Sequence, residues 1–386
     1  MLKLAVLADD LTGALDTGVQ FAASGIQTAL TVGSTPPKHC TVAVCDLETR
    51  HASPAEARAR TAEAAHNAAA LGAGYLYVKT DSGLRGNIGA ELAALLPGRI
   101  LFAPSYPENG RVTVNGVHSI DGVPVSRSLF GTDARTPVRH DRVADILRAT
   151  ADLPLLELHE NEAIPEEGGV LIADAATDAA LAFHAQAALK AGITQFAGCA
   201  GLAKQLAPLL QLPHNNLPRT FTRVPMLVVC GSISPVSQAQ LTQARADGIP
   251  SFRLRDSLGD GLEHVLQALQ QKGCAIIASA FDEGDIRANN AAGMTAATVA
   301  AALGALIRRA METCHCGLYI IGGDTLMATV QSLGPCSIVP ALEASSGVVV
   351  CTLAQDGKER LLITKSGSFG RIDAITSILQ QYAALP

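Results

Sequence analysis

Several residue classes are absent or scarce in this sequence of 386 residues. It contains no tryptophan, and only 4% of its residues are aromatic. Asp and Glu (35) outnumber Lys and Arg (29), which leaves a formal net charge of −6, and no dense basic block occurs. Because nucleic-acid phosphates are held mainly by clustered cations, this charge balance argues against a nucleic-acid partner.

Long apolar runs and an export signal are also lacking. No stretch approaches the roughly 18 uninterrupted apolar residues that a membrane span needs. The first apolar run stops at Asp9 and Asp10 and does not resemble a signal peptide. The nine cysteines are scattered and odd in number, which indicates reduced thiols rather than a disulfide framework. We therefore expect a cytoplasmic protein with no membrane partner.

What is present is a regular alternation of short apolar runs and helical patterns. With 48% hydrophobic residues, the chain can bury a large core, and its length suggests two domains of about 100–200 residues each. The alternation predicts an α/β fold in which each domain has a mostly parallel sheet flanked by helices, with a cleft between the domains. Residues 211–225 hold three prolines and two asparagines without periodicity. We expect domains at 1–213 and 226–386, joined by a linker at 214–225.

Three predicted strands in the first half, at 2–7, 41–45 and 75–78, end abruptly in polar residues. The residues that follow them are Asp9 and Asp10, then Asp46, Glu48 and Arg50, then Lys79, Thr80, Asp81 and Ser82. The carboxyl ends of parallel strands meet at one edge of a sheet, where such sheets bind ligands. We therefore expect these side chains to converge on one site.

The segment at 79–87 combines two cations, a carboxylate and two hydroxyls with two glycines. Lys79, Asp81 and Arg85 suit an anionic, hydroxylated ligand, although an incidental ion pair in a solvated turn is the alternative. Asp10 could cap the helix that begins near Leu11, so we expect one of the paired aspartates to cap and the other to function. Arg50 suits bidentate binding of a carboxylate.

A long stretch with little helical periodicity follows at 108–138. Loops of this length in a compact domain are often functional, and this one contains short strand patterns and four glycines. His118 and Ser126, together with Arg139 just beyond it, are candidate substrate contacts.

The second half has three glycine-bearing strand ends. The residues concerned are Gly231, Ser232 and Ser234, then Gly322, Gly323, Asp324 and Thr325, then Lys365, Ser366 and Gly367. Backbone amides at such turns bind phosphate, although an ordinary serine cap is the alternative at the first turn. Neither of the common glycine-rich phosphate fingerprints is matched. Three such turns with Lys365 as a counter-charge predict a nucleotide site.

Five motifs resemble the four-carbon acid sugar kinase family, whose members include D-threonate, L-threonate and 3-oxo-tetronate kinases. The motifs are ADDLTGALDTG (8–18), KTDSGLRGN (79–87), GRVTVNGVHSIDGVPVSRSLFGTD (110–133), GGDT (322–325) and KSGSFG (365–370). The resemblance implies an N-terminal acid-sugar-binding domain and a C-terminal ATP-binding domain. It implies substrate contacts at Asp10, Asp9, Arg50 and 79–82, and ATP contacts at Ser232, 322–325 and Gly367. Cys199 departs from the pattern, since we expect a serine there.

This resemblance leads to a hypothesis of ATP-dependent phosphorylation of the terminal (C4) hydroxyl of threonate, erythronate or a 3-oxo-tetronate. Arg50 and Lys79 would hold the substrate carboxylate, and Asp81 or Asp10 would orient or deprotonate the hydroxyl. Glycine-turn amides, Mg²⁺ and Lys365 would neutralise the phosphates, and closure of the domains would exclude water. The sequence assigns no metal ligands.

Two alternatives remain open at this point. A metal-dependent aldolase or phosphatase could use Asp9 and Asp10 as ligands, but it leaves the glycine turns of the second half unexplained. A two-lobed binding protein for a sugar acid would bind one ligand and no nucleotide. The sequence does not indicate an oligomeric state, and a homodimer is the default expectation.

Overall fold

The structure, a computed structural model, describes residues 1–133, 135–214, 221–257 and 261–384. The chain divides into two compact units, Met1–Leu217 and Pro218–Pro386. Both units are α/β, which agrees with the predicted fold class. The linker predicted at 214–225 falls partly on 215–220, outside the described residues, so the predicted linker and domain limits stay predictions.

The first unit contains β1–β11 and α1–α6. Its strands are β1 (Leu4–Ala8), β2 (Thr28–Val32), β3 (Val42–Asp46), β4 (Tyr75–Lys79), β5 (Arg99–Ala103), β6 (Arg111–Val114), β7 (Val117–Ile120), β8 (Val123–Pro124), β9 (Leu155–Leu158), β10 (Gly169–Ala173) and β11 (Gln195–Gly198). Its helices are α1 (Leu11–Ala23), α2 (Pro54–Ala70), α3 (Ile88–Ala93), α4 (Val143–Arg148), α5 (Asp178–Lys190) and α6 (Ala200–Leu209).

The main sheet of this unit is parallel, in the order β2-β3-β1-β4-β11-β5-β10-β9. Every residue of β1 is buried, as expected for a strand covered by helices on both faces. The connections reverse direction at β1, which has β3 on one side and β4 on the other. Ligands bind parallel sheets at such a point. A small antiparallel sheet, β6-β7-β8, lies within the stretch at 108–138, which departs from the alternation of strands and helices and is named the excursion.

Local sequence signals begin the helices that flank this sheet. The Asp10 side chain caps α1, and Ser53 with Glu56 forms a capping box at α2. Pro54 occupies the first turn of α2, where a missing N–H has no cost. One core cluster includes Leu7 of β1 and the alanines of α2, while a second includes Phe102 and the buried residues of α3 and α4.

The second unit contains β12–β18 and α7–α12. Its strands are β12 (Met226–Cys230), β13 (Ser251–Arg253), β14 (Cys274–Ala278), β15 (Gly317–Ile321), β16 (Ser337–Ser345), β17 (Val348–Gln355) and β18 (Lys358–Lys365). Its helices are α7 (Pro235–Ala246), α8 (Gly261–Lys272), α9 (Glu283–Ala291), α10 (Ala296–Thr313), α11 (Gly323–Leu333) and α12 (Ala374–Tyr382).

The sheet of the second unit is parallel on one side and antiparallel on the other. The strands β13-β14-β12-β15-β18 are parallel, whereas β16, β17 and β18 form an antiparallel meander. The sequence did not predict β16, because its alternating pattern is broken by Pro340 and a bulge. The core packs around Tyr319 and Ile363.

Within the described parts of the chain, no single helix is long and apolar enough to cross a membrane. Helices Glu283–Ala291 and Ala296–Thr313 meet the criterion only as a pair, and they are bent by 100° at the break between them.

Candidate active site

The three polar strand ends of the first unit belong to adjacent strands. Ala8 of β1 pairs with Asp46 of β3 on one side and with Lys79 of β4 on the other. The residues after all three strands therefore lie at one edge of the sheet, as the sequence predicted. This edge is the candidate acid-sugar site.

Arg50 joins the aspartates at this edge. Its Nε and Nη2 atoms donate to the two carboxylate oxygens of Asp9 at 2.7 and 2.9 Å, and Nη1 donates to Asp10 Oδ2 at 2.7 Å. Asp81 Oδ1 lies 3.7 Å from Nη2. Burial would lower the pKa of Arg50, but the carboxylates of Asp10 and Asp9 raise it well above its usual value. Since every guanidinium nitrogen is engaged, the geometry favours an orienting role over the expected binding of a substrate carboxylate.

Asp10 is the most accessible carboxylate of this group. Its side chain is 20% exposed, compared with 2% for Asp9 and 9% for Asp81. Oδ1 accepts from the backbone N–H of Gly13 at 2.9 Å, while Oδ2 accepts from Arg50. Asp10 therefore caps α1, which confirms that one of the two aspartates caps, and it also faces the site. Which of the two aspartates functions stays a prediction.

Gly13 lets the side chains of Asp10 and Lys79 pack directly against the beginning of α1. A Cβ at this position would lie 2.6 Å from Asp10 Oδ1 and 2.8 Å from Lys79 Nζ. A carboxylate and an ammonium thus border the same small space at the beginning of α1. Any side chain at Gly13 would displace one of these two groups.

Asp81 is held firmly by protein groups. Arg85 donates to both of its oxygens at 2.8 and 2.9 Å, and the backbone N–H groups of Gly83 and Arg85 donate to Oδ2 at 3.2 Å. Burial raises the pKa of Asp81, but Arg85 and Arg50 outweigh it and hold this pKa far below its usual range. A carboxylate so stabilised in its charged form is a poor proton acceptor. The expected role of Asp81 as a base is therefore less favoured than that of Asp10.

Arg85 links Asp81 to the excursion. Its Nη1 donates to Asp133 at 3.0 Å, and its guanidinium lies 4.9 Å from the centre of the Phe130 ring. A Cβ on Gly83 would lie 2.5 Å from an atom of the same ring. Neither Phe130 nor Asp133 was predicted as a site residue, although both lie in the motif at 110–133.

The other predicted residues of the segment contribute mainly backbone contacts. Lys79 is buried, and its Nζ donates to the carbonyl of Thr80 at 2.7 Å. The N–H of Thr80 donates to the carbonyl of Gly198 at 2.9 Å, and its hydroxyl is buried with no partner among the described residues. The Ser82 carbonyl faces His118, with the ring nitrogen 3.2 Å away.

Of the candidates in and after the excursion, His118 is completely buried and both its ring nitrogens contact protein groups. Its predicted direct contact with substrate is therefore wrong. Ser126 donates its backbone N–H to Asp141 at 2.8 Å, and Arg139 is exposed. These contacts give no reason to place Ser126 or Arg139 in the site.

Glu91 is a site residue that the sequence did not reveal. Its Oε1 accepts from the hydroxyl of Thr49 at 2.6 Å, next to Arg50 in the chain, and the side chain is buried. Burial and the nearby Asp9 raise the pKa of Glu91 to about 8. Burial also raises the pKa of Asp9, which Arg50 opposes. With a pKa of about 8, Glu91 carries the proton at neutral pH. The available signal was an acid within the otherwise apolar pattern of α3.

The three glycine turns of the second unit also belong to adjacent strands. Cys230 of β12 pairs with Ile321 of β15, which pairs with Lys365 of β18. The turns after these strands therefore lie together, as the sequence predicted.

Close contacts connect these turns. A Cβ on Gly367 would lie 2.1 Å from Ser232 Oγ, and one on Gly231 would lie 2.1 Å from Thr325 Oγ1. The Ser234 hydroxyl donates to the carbonyl of Gly367 at 2.6 Å. The turns can approach each other this closely only because Gly231 and Gly367 have no side chain.

The beginning of α11 has no side-chain cap. Gly322, the N-cap, has φ 113° and makes no side-chain capping hydrogen bond, and Gly323 and Asp324 form the first turn. The N–H groups of a first helical turn have no partner within the helix and favour an anion. By contrast, Ser234 caps α7 with its own side chain.

A pocket of about 250 Å³ adjoins these turns within the second unit. Its wall is apolar at Ile286, Met294 and Val299 and polar at Asn289 and Asn290. Its mouth is formed by four residues of the turns, namely Gly231, Ser232, Asp324 and Thr325. A slot with one apolar wall, polar edges and a glycine-lined mouth fits a heterocycle that carries phosphates.

Lys365 is buried beside the last turn. Its Nζ donates to the carbonyls of Ser366 and Phe369, each at 2.9 Å. Burial lowers the pKa of Lys365 to about 8. These contacts favour a role in holding the turn over the expected role as a phosphate counter-charge.

The described residues contain no group of three or more His, Cys, Asp or Glu side chains that could hold a metal ion. Asp9 and Asp10 are bridged by Arg50 rather than arranged around a common vacant point. This geometry gives no support to the metal-dependent aldolase or phosphatase. All nine cysteines are free thiols.

Comparison with known proteins identifies both halves of the chain. Residues 4–206 match the family model described as sugar-binding N-terminal domain, and residues 227–375 match the nucleotide-binding C-terminal domain. The chain is similar to a D-threonate kinase of Cupriavidus necator, with 31% identity over 95% of this chain and 94% of the relative. A D-erythronate kinase of Heliobacterium modesticaldum is 29% identical over 97% of this chain and 95% of its own.

Further comparisons agree in family and fold. A 3-oxo-tetronate kinase of Methylobacterium radiotolerans is 29% identical over 99% of this chain and 100% of its own. The solved structure of Haemophilus influenzae protein HI1011 has the same fold, with a TM-score of 0.75 and 20% identity, over 98% of this chain and 100% of that one. With both domains matched in order and relatives aligned over nearly its whole length, the chain belongs to the four-carbon acid sugar kinase family.

Proposed function

We propose that this protein transfers the γ-phosphoryl group of ATP to the terminal hydroxyl of a four-carbon acid sugar. The observation that carries the proposal is the pairing of two different strand-end sites on one chain. One site presents an accessible carboxylate beside a buried ammonium, and the other presents glycine turns beside a heterocycle-sized pocket. The names of the relatives supply the substrate class.

Lys79 and the beginning of α1 bind the substrate carboxylate in this proposal. Among the described residues, the acceptor of the Lys79 ammonium is the carbonyl of Thr80, and an ammonium has three N–H donors. The Lys79 ammonium and the Asp10 carboxylate both lie close to the Gly13 backbone, at the beginning of α1. The ammonium and the positive end of the helix dipole favour an anion there.

Asp10 is the proposed base and Arg50 its positioning residue. Asp10 is the acid with solvent access, and Arg50 fixes its Oδ2 at 2.7 Å. A positioned carboxylate that orients or deprotonates the attacking hydroxyl is what phosphoryl transfer requires of a side chain. In this proposal Asp81 and Arg85 shape the binding segment, in which Ser82 supplies a hydroxyl for the sugar, whereas Thr80 is completely buried.

In the second unit, the pocket takes the adenine and the glycine turns take the phosphates. The amides of the α11 first turn, together with Ser232 and Gly367, line the phosphate path. Mg²⁺ is usually bound by phosphates with one or two carboxylates, and Asp324, exposed in the α11 first turn, fits that requirement. The ion neutralises phosphate charge when it is bound. Closure of the predicted cleft between the domains stays a prediction.

The cellular setting follows from the same chemistry. Free thiols throughout the chain suit a reducing compartment, and we place the enzyme in the cytoplasm. A homodimer stays the default expectation for its assembly.

A coupled ADP-release assay with Mg·ATP tests this function. The acceptors are D-threonate, L-threonate, D-erythronate and a 3-oxo-tetronate, each at matched concentration. We expect turnover on at least one acceptor, abolished in Asp10→Asn and retained in Asp145→Asn, an exposed acid of α4 in the same unit. ATP binding without turnover on any four-carbon acid sugar would contradict the acceptor class, and failure to bind ATP would contradict the kinase.

A further inference from the structure

His118 lies on β7 and connects two parts of the first unit. Its Nε2 is 3.2 Å from the carbonyl oxygen of Ser82, and its Nδ1 is 3.0 Å from the Thr113 hydroxyl. The ring is completely buried, so it cannot touch a ligand directly.

The contacts determine the tautomer of His118. A carbonyl oxygen can only accept, so the hydrogen must be on Nε2 and His118 donates to Ser82. In the neutral ring Nδ1 then accepts, and the Thr113 hydroxyl donates to it. Burial, helped by Arg111, lowers the pKa of His118 to about 4, although the hydrogen bond to Ser82 and the nearby Asp81 oppose this shift. The ring is therefore neutral at pH 7.

Thr113 is itself anchored to the main sheet. Its N–H lies 3.0 Å from the Ser105 hydroxyl and 3.3 Å from the carbonyl of Ala175, beyond the ends of β5 and β10. A hydrogen-bonded path therefore runs from these strand ends through Thr113 and His118 to the carbonyl of Ser82. That carbonyl belongs to the segment that carries Lys79 and Asp81.

We propose that His118 is a positioning residue, which holds the Ser82 carbonyl and thereby sets the geometry of residues 79–82 for binding the acid sugar. The inference deepens the proposed function and rests on it. In this proposal the excursion at 108–138 has a structural role, because its strands β6 and β7 support residues 79–82. His118 acts through Ser82 and has no part in the chemical step.

Two matched pairs of variants separate positioning from folding. In His118→Gln the amide nitrogen reaches the place of Nε2 and keeps the donor to Ser82, whereas the shorter His118→Asn replaces only Nδ1. Thr113→Val removes the hydroxyl that holds His118 Nδ1 in place without changing the shape of the side chain, and Thr113→Ser keeps the hydroxyl.

We expect His118→Asn and Thr113→Val to lower kcat/KM for the acid sugar by about tenfold or more through KM, since small misplacements of binding groups are costly. KM for ATP should stay within about twofold, and His118→Gln and Thr113→Ser should recover most of the loss. Equal losses in the Asn and Gln variants, or parallel increases of both KM values, would overturn the proposal. If His118→Asn does not fold, the Thr113 pair gives the answer.

A second measurement does not depend on the substrate. Two-dimensional NMR of the protein labelled with ¹⁵N-histidine should show His118 as a neutral Nε2–H ring that does not titrate between about pH 5.5 and pH 7.5. A ring in the Nδ1–H form, or one that titrates in this range, would overturn the assignment. If no acid sugar is turned over, the kinase proposal fails while this result still stands or falls by itself.

Discussion

The two units place their candidate sites at the same position of the fold and build them from different chemistry. In each unit the site lies where three adjacent parallel strands end: β3, β1 and β4 in the first, β12, β15 and β18 in the second. The first site is dense in carboxylates and guanidinium groups that neutralise one another. The second is made of glycines and hydroxyls. The fold supplies the position, and the residues after the strands decide which ligand it suits.

Two lysines make this comparison concrete. Lys79 ends β4 and Lys365 ends β18, and each donates to the carbonyl of the next residue, at 2.7 and 2.9 Å. Lys79 borders the same space as the Asp10 carboxylate. Lys365 gives a second hydrogen bond to Phe369, and burial lowers its pKa to about 8. In the proposed function, the same strand-end position therefore supplies a substrate-binding cation in the first unit, whereas in the second unit it supplies an amine that holds the turn.

The largest expected effect comes from replacing Asp10, the proposed base. Asp10→Asn should lower kcat by about 10²–10⁴-fold, the usual contribution of a general base, because the amide cannot accept the proton from the hydroxyl. Steady-state kinetics measure this, and ADP affinity by calorimetry should be unchanged. Asp81→Asn is the matched comparison: it should raise KM for the acid sugar more than it lowers kcat. A larger loss of kcat in Asp81→Asn would move the base to Asp81.

A methyl group added at Gly367 should disrupt the close contact between the glycine turns of the second unit. In Gly367→Ala the new Cβ would lie 2.1 Å from Ser232 Oγ, so the two turns must separate. We expect ADP affinity to fall by about tenfold or more, as a shift of binding groups by about an ångström would cause. Gly168→Ala is the control, because a Cβ there meets nothing within 4 Å. Unchanged ADP affinity in Gly367→Ala would exclude the turns as the phosphate site.

Because the pKa of Lys365 is lowered in the folded protein, we expect its contribution to stability to depend on pH. Its pKa is lowered in the folded state, from its ordinary 10.5 to about 8, so the unfolded chain binds more protons between these values. The Lys365 contribution to the unfolding free energy should therefore rise from pH 8 to pH 10.5, by up to about 1.4 kcal/mol per pH unit. Chemical denaturation of the wild type and Lys365→Met measures the difference. A difference that is flat or falls with pH would mean that Lys365 stays charged.

The contribution of Glu91 to stability should change with pH in the opposite direction to that of Lys365. Replacing Glu91 should have the smallest effect on activity among these variants. Its pKa is raised from 4.5 to about 8, so its contribution to stability is present at low pH and is lost as the pH rises through that window. Glu91→Gln imitates the protonated acid, so activity at pH 7 should stay within about threefold. The wild type and Glu91→Gln should be similarly stable near pH 4.5, and the wild type should become the less stable of the two as the pH rises toward 8, as denaturation would show. A large loss of activity at pH 7 would mean that Glu91 acts as a charged group.

Much of this could be predicted from the sequence, for physical reasons that differ by residue. Buried parallel strands are continuous apolar runs, so β1, β4 and β12 and the polar residues after them stand out. The convergence of those ends follows from the sheet itself. The individual roles of Arg50, Asp81 and Lys365 could not be predicted, because they depend on which neighbours satisfy each charge in three dimensions.

Other features left a weaker signal in the sequence. Glu91 lies in a short helix whose pattern is otherwise that of a core element, so its proximity to Asp9 depends on packing. His118 was noticed as a polar residue in a long loop, but its complete burial reversed the expected contact with substrate. The strand β16 was not predicted because a proline and a bulge interrupt its alternating pattern.

The most direct test of the central claim is a crossed binding measurement by calorimetry. Lys79→Met and Gly367→Ala are each titrated with ADP and with the acid sugar that the wild type turns over. We predict that Lys79→Met loses the acid sugar and keeps ADP, whereas Gly367→Ala loses ADP and keeps the acid sugar. Loss of the acid sugar in Gly367→Ala, or of ADP in Lys79→Met, would contradict the division of the two ligands between the two units.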